Sequence, residues 1–123
     1  MKPELPVLSF TSVTELHEWL EQNHATSAGI WLRIYKKGAG VASVTFMEVL
    51  EEGLCFGWSE SKRIKGDDIS YLQQFTPRRS KGTTSKRNRE YTRRLIAENR
   101  MTPAGLRALG IEQPQSEAPT PLS

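Results

Sequence analysis

Two Ser/Thr-x-x-Glu boxes, Ser12-Val-Thr-Glu15 and Thr45-Phe-Met-Glu48, constrain the fold of this chain more than any other feature. In such a box the hydroxyl accepts from the amide three residues on, and the Glu carboxylate reaches back to the start of the helix. Each box is followed by apolar residues at helical spacing. Val13, Leu16, Trp19 and Leu20 mark a first helix to about Asn23, and Phe46, Val49, Leu50, Gly53 and Leu54 mark a second to about Phe56, with Gly57 as its stop. Between them, residues 28–37 (AGIWLRIYKK) alternate apolar and polar side chains. That predicts a strand with Ile30, Leu32 and Ile34 on one face.

The second half continues the alternation of element types. Strands are predicted from Trp58 to Ile64 and from Tyr71 to Thr76, separated by the turn residues Gly66-Asp67-Asp68 and closed by Pro77. Residues 78–84 lack apolar side chains and read as an exposed loop. Ser85 then caps a third helix to about Asn99, with Asn88, Tyr91, Thr92, Leu95, Ile96 and Asn99 on one arc. Thr102-Pro103 opens a short fourth helix that ends before Gly110. These elements predict one α+β domain over residues 1–110, with about four helices on a small, mainly antiparallel sheet. Residues 111–123 contain three prolines and little apolar content, and are expected to be disordered.

Charge is distributed unevenly. Nine of the residues from Arg78 to Arg100 are Arg or Lys against Glu90 and Glu98, a net of +7, whereas the remainder has 8 basic and 12 acidic residues, a net of −4. A concentrated charge faces an anionic partner or an acidic neighbouring surface. Arg78, Arg79, Lys81, Lys86, Arg89 and Arg93 form the expected anion-binding set, because guanidinium forks match phosphate and carboxylate oxygens. Arg100 falls on the same ridge as Arg89 and Arg93, and Glu90 stands at the i,i+4 spacing of an ion pair with Arg94. The competing reading is a solvated face neutralised by Glu90, Glu98 and the acidic first two helices.

Other chemistry is less marked. Trp58, Glu60 and Asp67, with Asp68, are the candidates for a polar pocket, in which Glu60 and Asp67 would form a general acid–base pair. Cys55 is the single cysteine, so an internal disulfide and a cysteine zinc cluster are excluded. Its place between Leu54 and Phe56 suits a buried small hydrophobe rather than a nucleophile served by His17 or His24. The two histidines are seven residues apart and give no metal-ligand spacing, so no metal, cofactor or catalytic residue is expected. The start, MKPELPVLSF, has no apolar signal region and no run approaches a membrane span, which predicts a cytoplasmic protein.

Six blocks resemble a known family: WLEQNH (19–24), GIWLR (29–33), LCFGW (54–58), YLQQFTPRR (71–79), SKRN (85–88) and RMTPAG (100–105). In this order they are similar to the YdeI/OmpD-associated family, also described as bacteriocin-protection or OmdA-type proteins, over about residues 8–109. The family pattern continues CFGW with Ile-Asp-Gly where this chain has Ser59-Glu60-Ser61, and places a Trp before the SKxN serine where this chain has Thr84. The resemblance implies a bacterial protein associated with resistance to bacteriocins or cationic antimicrobial peptides. It supplies no catalytic residue. The expected function is therefore non-enzymatic binding of an anionic ligand or an acidic protein partner. The rivals are a nucleic-acid-binding module and a small enzyme with a Glu60/Arg78 pocket.

Overall fold

Both boxes cap helices in the computed structural model, which describes residues 5–78 and 86–110, without the side chains of 86 and 87. Glu15 N–H donates to Ser12 Oγ at 3.3 Å, while the Glu15 carboxylate reaches one residue further back than expected, to Thr11 N–H at 2.8 Å. At Thr45 the box is reciprocal, with Glu48 N–H on Thr45 Oγ1 and Thr45 N–H on the Glu48 carboxylate. The order of elements is β1 (Val7–Ser9), α1 (Val13–Asn23), β2 (Ile30–Tyr35), α2 (Phe46–Phe56), β3 (Trp58–Asp67), β4 (Ser70–Pro77), α3 (Lys86–Ala97) and α4 (Pro103–Ala108). The expected tail at 111–123, the expected loop at 78–84 apart from Arg78, and the Ser85 cap lie outside the described residues.

The four strands form one open sheet in the order β1-β2-β4-β3. β4 lies antiparallel to both β2 and β3, and β1 lies parallel to β2. The α+β expectation holds. What it lacked was β1, a three-residue strand too short for an alternation signal; α1 connects it to the parallel β2.

Register decides what enters the core. Ile30 stands opposite Phe75 and Leu32 opposite Gln73, so alternate residues of β2 and β4 face the helices together. Ile30, Leu32, Ile34 and Phe75 are buried there with Leu16 and Leu20 of α1, Val49, Leu50 and Leu54 of α2, and Leu95 of α3. Gln73 is buried among them, and its Nε2 donates to the Lys62 carbonyl at 3.2 Å. A line of aromatic contacts runs through this core, from Phe10 to Trp19, Trp58 and Phe75, with neighbouring centroids 5.1–6.1 Å apart. Edge-to-face and tilted packing at these spacings suits ring quadrupoles.

The turns use the residues that the sequence supplies. Gly57 takes the left-handed conformation (φ 80°) that stops α2 and releases Trp58 into β3. The β3–β4 hairpin turns on Asp68-Ile69, where the Asp67 carboxylate accepts from Ile69 N–H at 3.0 Å and from the Ser70 hydroxyl at 2.7 Å.

Candidate functional site

The third helix ends two residues earlier than its apolar arc suggests. Asn99 adopts φ 60°, its N–H donates to the Ile96 carbonyl at 3.0 Å, and Arg100 N–H donates to the Leu95 carbonyl at 2.9 Å. This left-handed closure turns the chain sharply. Arg100 thus leaves the Arg89/Arg93 ridge on which helical periodicity put it, and enters the acidic face of α2.

There it meets a buried carboxylate. Glu52 is 4% exposed, with one oxygen 3.1 Å from Arg100 and the other 2.8 Å from Nδ1 of His17. Arg100 also reaches Glu51 at 3.3 Å and Glu98 at 3.5 Å. Arg94 pairs with Glu51 and, at 3.3 Å, with Glu98, so its partner at i,i+4 is Glu98 rather than the expected Glu90. A buried carboxylate is tolerated only when paired and hydrogen-bonded, and Glu52 is both. Val13, Thr14, His17, Glu48, Glu51, Glu52 and Arg100 line a cavity of about 430 Å³ between α1 and α2. Its charged walls are largely committed to one another.

Cys55, one turn along α2, is 1% exposed. Burial, with the nearby Glu52 charge adding, pushes its thiol up from 9.0 to about 12, so the nucleophilic thiolate is suppressed. Neither histidine serves it: His17 is engaged by Glu52 and Glu21, and Nδ1 of His24 lies 2.8 Å from the Leu20 carbonyl.

The six expected anion-binding residues are placed unequally. Arg89 and Arg93 are exposed one turn apart on α3. Arg78 is half-buried just past β4, where its backbone N–H donates to the Gly57 carbonyl at 2.9 Å. Its Nε is buried without a hydrogen-bond partner among the described residues. Burial draws the Arg78 pKa below its ordinary value while the Glu60 charge opposes, and no ion pair joins the two among the described residues. Arg79 and Lys81 lie outside the described residues, as does the side chain of Lys86.

The three pocket candidates are not brought together. Trp58 is a core residue, 1% exposed, with its indole N–H on the His24 carbonyl at 3.3 Å. Glu60 lies near the start of β3, opposite Phe75, whereas Asp67 ends that strand. Seven residues of strand separate them by about 20 Å. At its own end Asp67 accepts from Ser70 and lies 3.6 Å from Arg33, and these contacts hold its carboxyl below the usual range.

The His17–Glu52–Arg100 cluster escaped sequence reasoning because its members are 35 and 48 residues apart. Only the i,i+4 pair of His17 and Glu21 was visible in the sequence. No group of three or more His, Cys, Asp or Glu side chains among the described residues is arranged to hold a metal ion. No helix among them is long and apolar enough to cross a membrane.

The domain family of unknown function DUF8412 matches residues 8–108, which span every helix and nearly every strand described above. The chain belongs to the DUF8412 family. No curated protein and no solved structure matches it. The DUF8412 match ends at α4, before Leu109 and Gly110, and so covers both the α1–α2 cavity and the exposed arginines of α3.

Proposed function

We propose that this DUF8412 chain is a non-enzymatic binding protein whose α3 face takes an anionic ligand or an acidic partner. On the resemblance to YdeI/OmpD-associated proteins, it would support bacterial resistance to bacteriocins or antimicrobial peptides. The observation carrying this reading is that two guanidinium-bearing residues, Arg89 and Arg93, both stand exposed one turn apart on α3. Arg78, half-buried just past β4, has an Nε with no hydrogen-bond partner among the described residues. Long-range attraction from such a face acts on phosphate, sulfate and carboxylate groups alike.

The test is the double variant Arg89→Ala/Arg93→Ala. Binding to fluorescein-labelled heparin and to a labelled single-stranded oligonucleotide, followed by anisotropy at several salt concentrations, should weaken for both. If both arginines contact the polyanion, the slope of log affinity against log salt should fall in magnitude by about 2. Both positions are exposed, so unfolding should move by no more than about 0.5 kcal/mol. Unchanged affinity at low salt would remove α3 as the site. Strong preference for the oligonucleotide over heparin would shift the reading to a nucleic-acid module.

A further inference from the structure

Both ring nitrogens of His17 face carboxylate oxygens. Nδ1 lies 2.8 Å from Glu52 of α2, and Nε2 lies 3.3 Å from Glu21, one turn along α1. Ionised carboxylates only accept, and a neutral imidazole has a single N–H, so one nitrogen would then turn its lone pair toward an anion. Only the imidazolium satisfies both contacts. The surroundings are otherwise committed: from α2, Glu52 is the direct partner while Glu48 and Glu51 line the same cavity. From the segment after α3, Arg100 holds the second oxygen of Glu52 at 3.1 Å. The Phe56 ring packs edge-on against the imidazole at 5.2 Å.

We infer that His17 is a proton-controlled latch, whose protonated ring ties α1 to α2 at the wall of the cavity and whose deprotonation loosens that tie. Leu16 and Leu20, both fully buried, and Trp19, packed between Phe10 and Trp58, also hold α1, so the latch modulates docking of a helix that stays apolar-anchored.

Electrostatics agrees with the geometry. Ring burial opposes the charge, but the hydrogen bond and charge of Glu52, with Glu21 adding, outweigh it and raise the His17 pKa above 6.5. A group raised in the folded state contributes stability that is full below the unfolded pKa, near 6.5, and is lost as pH rises through the folded value. The side chain is 41% exposed, so salt should diminish the effect.

The test uses the full chain. NMR titration of the imidazoles, assigned with His24→Gln, should place His17 above 6.5 and bring it down in Glu52→Gln. In parallel, the urea midpoint of the wild type should exceed that of His17→Gln at pH 5.5, and the difference should shrink by pH 8.5. Hydrogen-exchange protection of α1 amides should fall over the same range relative to β4. A His17 titration at or below 6.5, or one unmoved by Glu52→Gln, would overturn the latch. So would a wild-type advantage equal at both pH values. If His17→Gln fails to fold, Glu21→Gln, at an exposed position, still decides: the His17 titration must move down.

Discussion

Phe75→Ala should lower the stability of this domain by about 3–5 kcal/mol. The ring is fully buried, lies opposite Ile30 on β2, and packs against Trp58 with centroids 5.1 Å apart. It also fills the space left by Gly53, where a Cβ would approach Phe75 Cε1 to 2.9 Å. Neither neighbour can collapse into the void. Gly53 has no side chain to offer, and Trp58 is held between Trp19 and the His24 carbonyl. The cost should therefore sit toward the upper part of that range. Against a total stability of about 5–15 kcal/mol for a domain of this kind, the variant would be marginally folded. Urea unfolding followed by tryptophan fluorescence measures the loss, and Phe75→Leu should recover much of it. A loss below about 1 kcal/mol would mean that the aromatic line does not form the centre of the core.

Gly105→Ala should be nearly as damaging, through overpacking rather than a void. Gly105 sits in the first turn of α4, against the end of α2. A Cβ there would stand 2.6 Å from the Leu54 carbonyl oxygen, and closer still to that of Cys55. Both obstacles are backbone and cannot rotate away. The surrounding bonds show what displacement would break: the Cys55 carbonyl accepts from Thr102 N–H at 3.0 Å and from the Thr102 hydroxyl at 2.5 Å, and that hydroxyl also caps Gly105 N–H at 3.1 Å. Separating α4 from α2 would further expose Leu106 and Leu109, each 6% accessible. We expect a loss of about 3 kcal/mol, at the top of the usual overpacking range. For a domain near this size that lowers Tm by about 10–20 °C. Gly105→Ala with an unchanged Tm would show that the α2–α4 contact is not tight.

These two positions explain what the recognisable sequence blocks do. In RMTPAG, Arg100 pairs with Glu52, Met101 packs on the core, Thr102 caps α4, Pro103 starts it and Gly105 permits its approach. In LCFGW, Leu54, Cys55, Phe56 and Trp58 are buried and Gly57 makes the left-handed stop. In FTPR, Phe75 is core and Pro77 ends β4. Most of the motif residues thus build the fold.

The fold was legible where local rules apply. Capping boxes, the alternation of Ile30, Leu32 and Ile34, and Gly57 as a stop all act within a few residues, and each matches the structure closely. Failures occurred where one residue's conformation or a distant partner decides. The left-handed Asn99 redirects Arg100, which no periodicity reveals, and Glu52 becomes a buried ion only because His17 and Arg100 arrive from distant parts of the chain. Strand length separated Glu60 from Asp67. Sequence proximity had grouped them, because it did not anticipate that β3 would run on to Asp67.

The central claim is that the outward arginines of α3, rather than the α1–α2 cavity, receive the ligand. Titrating the ¹⁵N-labelled protein with inorganic tripolyphosphate at low salt tests it most directly. The largest shift changes should fall on the Arg89 and Arg93 amides and on the Arg78 Nε–H signal, with α1 and α2 little moved. Changes concentrated on His17, Glu48 and Glu51, or no change at low salt, would contradict it.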